Sequence, residues 1–538
     1  MAIVPIRGLG AKGIIKVPAP YNLPLDAWSG GNNVRFENGR VRRAPSFRTI
    51  DDTGTVDPVF MYGARPSGSN DFILYTDALG NAYTFTGVHT DITNPSFTPG
   101  ASTSPTTATI LDDVVYLNRN THIPYYLLDG GSQMEPLTDF GWDATHRAGA
   151  FRTFKDYLFA LDITKGANEF PNMVKWSAPS TGNGSPPASW DETDPASGAG
   201  ENPLPELQGR ILDGGTLKDK FIIYSNNDVW DVDFVGGTFI FDFQKLFDDE
   251  GILASGTFLE IDGAHYVWGE HDIYVHDGIT KRSIVEGTNK EHIFNGMNKS
   301  LKDKFHMAYN PVLDEILFFY VANEADTAWQ NTSSPNRIAA YSVNEGTWSF
   351  RDSPGVIGGA EIIYTEVLPW DSATSAWNLY GGSWDGSADT NRTALILMTT
   401  PETGAGLTGR KVYGYDTVGE WSIIPFPLDT SVTPTAYVER IGMDLDELGG
   451  EIRIHKVFDR IYPQAKIFGE PIEIAIGSQL TGFGPETVAP YLTFDPVTQY
   501  KLDFRRGGRY LSLRVRQTEP VDFWFSGADV DIKFNGRR

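Results

Sequence analysis

Between residues 72 and 387 one local pattern returns again and again: a short apolar run, a polar turn, then an aromatic-rich run. "FILYTDALGNAYTF" (72–85) is the clearest copy. Others begin "VVYLNRNTHIPYYLLDG" (114–130), "YLFALDI" (157), "FIIYSNNDVWDVDF" (221), "HYVWGEHDIYVHDG" (265), "ILFFYV" (316) and "NLYGGSWDGS" (378). Starts fall roughly 40 to 65 residues apart, near or somewhat above the repeat lengths of propeller blades. One such hairpin cannot make a core alone. Several arranged radially bury their faces against one another and leave only short edges. The composition agrees: 13 % aromatic residues, interrupted by 56 Gly and 33 Pro, is the make-up of many short strands divided by turns. The expected fold is all-β, a degenerate β-propeller of six or seven blades with an additional C-terminal β region. A pair of β-sandwiches is the competing all-β arrangement.

The pattern divides the chain into an N-terminal arm and β-hairpin (1–50), a propeller (51–440) and a C-terminal β region (441–538) that packs on or closes the propeller. Residues 177–206 are Gly/Pro/Ser-rich and acidic at Asp191, Glu192 and Asp194. Loops this long are usually functional or disordered, so this one is expected to be a mobile insertion projecting from the propeller. In the C-terminal region Leu511, Leu513 and Val515 alternate with Arg514 and Arg516, the period of a half-buried strand.

Several function classes find no support. The chain has no Cys, hence neither disulfides nor thiolate metal sites. Its start is broken by Pro5, Gly8 and Gly10 and reads as no signal peptide. The longest apolar run, 316–322, is far short of the roughly 20 residues that span a bilayer. A formal charge of −25 argues against a surface that grips phosphates. The densest polar constellation is His265, His271, Asp272, His276 and Asp277. No three ligands line up there and no HExxH spacing occurs, so a hairpin with polar turn residues is expected. "SVNEGTWSF" (342–350) nearly matches the Asp-box of sialidase-type propellers, with Asn344 for Asp and Trp348 one position early; that motif is a turn, not a catalytic device. Asp248 and Asp249 read as a solvated loop among 69 carboxylates. No GxSxG or P-loop occurs, and "GLGAKG" near the start lacks the preceding strand of a nucleotide fingerprint. The chain is read as no enzyme, with no catalytic or metal-binding residue and no cofactor.

"GGNNVRFENGRVRRAPSF" (30–47) places Arg35, Arg40, Arg42 and Arg43 in nine residues. Asn38-Gly39 is a strong two-residue hairpin signal, since both tolerate the positive φ of a type I′ turn. That turn sets Glu37 opposite Arg40, Phe36 opposite Val41, and Arg35 opposite Arg42. Val34, Phe36 and Val41 then form an apolar face. Like charges directly across a ladder repel, so Arg35 and Arg42 need carboxylates from elsewhere in this or another subunit. Arg35, Arg40, Arg42 and Arg43 are the candidate subunit or assembly interface; a solvent-exposed amphipathic hairpin is the plainer reading.

Both ends of the chain resemble the tail nozzle proteins of short-tailed bacteriophages, also called tail tubular protein B or tail hub. At the N-terminal end the similarity lies in Asn33, Val34, Arg35, Phe36, Gly39, Arg40, Arg42 and Pro45. At the C-terminal end it lies in Gly508, Arg509, Tyr510, Arg514, Trp524, Ser526, Gly527 and Arg537. The resemblance implies a structural virion protein of the phage tail, assembled in the host cytoplasm. It implies a propeller-containing subunit, six copies of which form a ring below the portal and a tail adaptor protein. The ring would continue the DNA channel and carry tail fibre or spike proteins. Genomic DNA would pass through the lumen during ejection without sequence-specific binding, and acidic walls would repel its phosphates. Ring assembly implies head-to-tail interfaces, in which the arginine hairpin is a reasonable part. A glycan-binding or glycan-degrading propeller acting in receptor recognition is the alternative function.

Overall fold

The computed structural model describes residues 2–535 except 69, 101–104, 238, 324–332, 367–389, 401–409, 416–434 and 446–454. The chain is all-β, with seven four-stranded antiparallel sheets and two six-stranded sheets among the described residues. The recurrent hairpins are the middle strands of the first six four-stranded sheets. In sheet I they are Phe72–Asp77 and Ala82–Phe85, between Pro58–Ala64 and His89–Asp91. Sheets II to VI follow in order at 106–136, 146–203, 211–247, 258–283 and 306–352. The copy read at 378–387 lies outside the described residues.

Sheet VII draws on distant parts of the chain. Val356–Glu366, Thr390–Thr399 and Val412–Gly414 are followed at its edge by Arg48–Asp51, with Thr49 opposite Tyr413. Asp51 on that edge strand also reaches sheet I. Its Oδ2 lies 2.9 Å from His89 Nε2, and His89 Nδ1 lies 2.9 Å from the Tyr75 hydroxyl.

Consecutive sheets share apolar cores. Leu74 and Ala82 of sheet I pack with Val115 and Leu117 of sheet II. Phe159 and Leu161 of sheet III pack with Phe221 and Ile223 of sheet IV. Leu317 and Phe319 of sheet VI pack with Leu395 and Leu397 of sheet VII. Ile396 and Met398 of sheet VII pack in turn with Ile73 and Tyr75 of sheet I. The first strand of sheet VII, Val356–Glu366, lies against the first strand of sheet I, Pro58–Ala64. That approach requires Gly63, because a Cβ there would sit 2.8 Å from the Ala360 Cβ.

The two six-stranded sheets are built from both ends of the chain. In one, Phe523–Asn535 pairs with Ala2–Arg7, with Arg40–Arg43 of the hairpin and with His455–Ile467; a strand thus does precede "GLGAKG", contrary to expectation, but turns and not a helix follow it. In the other, Gly30–Asn32 pairs with Ala436–Met443, which pairs with Tyr510–Gln517. Val4, Phe36, Val41, Val438, Leu513, Val515, Phe525 and Val530 belong to one core, continuous with Trp268 of sheet V and Phe318 and Trp348 of sheet VI. Leu511, Leu513 and Val515 are buried as their alternation predicts, while Arg516 lies half-buried against Glu473.

Residues 177–206 are anchored to sheets II and III at several points. Trp190 is buried and meets the Trp142 ring edge-on at 4.8 Å. Glu192 takes hydrogen bonds from Lys165 and the buried Lys175. Gly200–Pro203 is the fourth strand of sheet III. A buried ammonium needs a charged partner, which Glu192 supplies to Lys175, and the Trp190 ring joins the apolar core between sheets II and III.

Candidate functional site

The hairpin forms in the predicted register: Glu37 opposite Arg40, Phe36 opposite Val41, Arg35 opposite Arg42. Asn38 and Gly39 have φ of 51° and 70°, the left-handed pair a type I′ turn demands. Val34, Phe36 and Val41 are buried.

The arginine heads divide between two neighbours. Arg35 is buried; its Nη2 donates to Glu37 Oε2 at 2.7 Å, and its Nε lies 3.9 Å from Glu315 Oε1 in sheet VI. The same buried Glu315 accepts from Arg351 Nη2 at 2.7 Å. Arg42 points to the C-terminal segment: Nη2 and Nε donate to Asp522 Oδ2 at 2.6 and 3.2 Å, and Nη1 to Glu37 at 2.7 Å. Arg43 is buried and donates to the carbonyls of Glu519 at 2.9 Å and Gln517 at 3.4 Å. Arg40 alone of the four is exposed, its guanidinium 5.3 Å from the centre of the Trp524 ring. The carboxylates that Arg35 and Arg42 required are therefore present in this chain.

Burial lowers the pKa of Arg35, and it brings Arg43 down to about 10. Burial would also lower Arg42, but the hydrogen bonds and charges of Asp522 and Glu37 outweigh it and the pKa rises. Glu37 is held below the usual carboxylate range in spite of burial, by its bond to Arg42 and the charges of Arg35, Arg42 and Arg40.

Upstream of the turn, Asn32 and Asn33 donate to Asp352 Oδ2 at 2.8 and 2.9 Å, and Asp352 Oδ1 accepts from Arg337 at 3.0 Å. At the turn itself the Asn38 amide donates to Glu345 at 3.0 Å. Glu345 lies in the near-Asp-box segment, which is the turn between Arg337–Ser342 and Trp348–Asp352. The site is a bracket: one flank holds sheet VI, the other holds the strand Phe523–Asn535.

The histidine-rich segment contains an arrangement that local strand faces do not reveal. His265 and His276 stand opposite each other across the sheet V hairpin, and both lie 2.7 Å from the hydroxyl of Tyr224 in sheet IV. All three side chains are buried. His265 Nε2 lies 2.9 Å from the Thr216 carbonyl, so that nitrogen carries the proton and Nδ1 must accept from Tyr224. The Tyr224 oxygen in turn accepts from His276 Nε2–H. Burial holds both rings neutral, with pKa values of about 4 for His265 and about 3 for His276. Counting residues across the 269–272 turn exposes the His–His pair in the sequence; the tyrosine, 41 residues from His265, has no such local signal. His271 is exposed, and Asp277 caps its own turn at the amides of Ile279 and Thr280.

Asp248 and Asp249 are exposed, with Asp248 against Lys245. In the Asp51–His89–Tyr75 chain, burial lifts the phenol to about 12, the reverse of what an activated nucleophile needs. Among the described residues no group of three or more His, Asp or Glu side chains is placed to hold a metal ion. No helix among them is long and apolar enough to cross a membrane. Of the motif positions at the chain ends, Arg42 pairs directly with Trp524 across the sheet; Arg537 lies outside the described residues. In comparisons with known proteins, no family model matches this chain and no curated protein is significantly similar to it.

Proposed function

We propose that this chain is a structural subunit of a short phage tail, a nozzle or hub protein that forms a ring, hexameric in number, continuing the DNA channel below portal and adaptor. The observation that carries the reading is the meeting of the two motif-bearing ends. Arg42 from the first motif and Trp524 from the second are partners across one sheet, so the two motifs are two halves of one unit. Such a unit, held by buried charge pairs against sheet VI, is a mounting element and not a reaction site.

The body of this subunit is a seven-bladed propeller. In its support, neighbouring sheets share cores in serial order, sheet VII shares one with sheet I, and Arg48–Asp51 completes the last sheet from the other end of the chain. The charge of −25 suits a passage that DNA must traverse without sticking. Arg40, exposed on the hairpin, is the part of the candidate interface left for a neighbouring subunit or the adaptor.

Immunogold imaging of purified virions with antibody against this chain tests the reading. Label at the tail below the portal is the expected result. Virions without label, together with polysaccharide cleavage by the isolated chain, would replace it with a glycan-degrading function.

A further inference from the structure

In so acidic a chain, positive charge without an internal carboxylate partner stands out at the boundary of sheets I and II. Arg119 ends the strand Val114–Arg119 and is only 5 % exposed. Its Nη2 donates to the Ala78 carbonyl at 3.2 Å, while Nε and Nη1 have no hydrogen-bond partner among the described residues. Gly80, at φ +94°, lies so close that a Cβ there would collide with the guanidinium. Asp77 acts on Arg119 by charge, but its oxygens already accept from the Leu79 and Asn81 amides and the Asn81 side chain. Glu135 is taken by Asn94 and Gln133. Arg147, half-buried, donates to the carbonyls of Ala144 and His146 and forms no ion pair among the described residues. Its charge and that of Arg119 both fall on His122.

Arg119 lines a small, partly open pocket with Asn94, Phe97, His122 and Tyr125. Phe97 packs on His122 at 4.9 Å and on Tyr125 at 5.6 Å, forming an aromatic wall. A buried guanidinium with unsatisfied N–H groups is costly, and an anion is the partner that removes the cost. We propose that this pocket binds a small oxyanion, a carboxylate or phosphate group, with Arg119 as its principal ligand and Arg147 adding long-range attraction. Free ion and terminal group of a larger molecule offer Arg119 the same chemistry.

The test melts and titrates the full chain in chloride buffer at fixed ionic strength, with sodium acetate or inorganic phosphate as probe. The melting temperature is expected to rise with probe concentration and saturate, as binding to the folded state requires. The probe that saturates at lower concentration identifies the preferred oxyanion. Arg119→Met removes an unpaired buried cation. It is therefore expected to melt no lower than wild type in chloride alone, and below wild type at saturating probe. Arg119→Lys keeps the charge and is expected to weaken binding several-fold. A wild-type melting temperature unmoved by both probes overturns the proposal. So does a non-saturating rise shared by Arg119→Met, which is the general effect of excluded salts. An Arg119→Met deficit that is equal at every probe concentration overturns it as well, leaving Arg119 a packing role.

Discussion

Arg42 joins its own hairpin, through Glu37, to Asp522 480 positions away. Asp522 is only 4 % exposed; without Arg42 its Oδ2 loses both charged donors, while Oδ1 keeps the Arg43 and Phe523 amides. Arg42→Met is expected to cost about 3 kcal/mol of stability in urea unfolding, while Arg40→Gln at the exposed end stays within roughly 0.5 kcal/mol. Equal losses from the two would remove the distinction between buried and exposed arginines. Sequence reasoning reached the register and the need for carboxylates, because a two-residue turn fixes who faces whom. It could not reach Asp522 or Glu315, since nothing local encodes a partner hundreds of residues away. The histidine pair makes a second residue-scale prediction. Burial depresses both pKa values from 6.5 to about 4 and about 3, so the unfolded chain takes up protons first. Their contribution is complete above about pH 6.5 and is lost as pH falls toward the folded values. The slope is up to about 1.4 kcal/mol per pH unit for each ring. The double variant His265→Gln/His276→Gln should show a flatter decline in denaturation free energy between neutral and mildly acidic pH. An unchanged decline would assign acid sensitivity to other groups.

Among elements, the middle hairpins of sheets I to VI were legible because alternation and turn residues are local signals. The outer strands were not. Glu135–Pro136 is two residues long, Gly200–Pro203 sits inside a Gly/Pro-rich stretch, and Arg48–Asp51 joins a sheet formed from residues beyond 355. Arg48–Asp51 deserves its own experiment. Replacing it with Gly-Ser-Gly-Ser removes the side chains that seat the strand, including the Asp51–His89 bond. Hydrogen exchange is expected to speed up at Val412–Gly414 while sheets II to V remain protected. Unchanged protection at Val412–Gly414 would mean that the edge holds without this strand.

For the whole molecule, charge is the property the sequence states most directly, and it carries a prediction of its own. DNA affinity rises with the number of phosphates a protein neutralises. With a charge of −25, the chain is expected not to retard duplex DNA in a gel shift even at about 50 mM salt; a retarded band that weakens steeply with salt would reveal a basic track. The order of the recurrent hairpins was also legible in the sequence, whereas the joining of the chain's ends was not, because the segments 34–43 and 523–535 carry no local mark of each other. That joining has a consequence for synthesis. A ribosome adding about 5–20 residues per second takes roughly half a minute to a minute and a half to travel from Arg42 to Asp522. For most of that interval Val34, Phe36 and Val41 have left the ribosome with the strand their hairpin pairs against still untranslated. Sheets I to V can fold in the order they emerge, but the bracket cannot close until Phe523–Asn535 has been made and has left the ribosome. A nascent chain halted before Phe523 carries the apolar face of Val34, Phe36 and Val41 without the strand that Arg40–Arg43 pairs against.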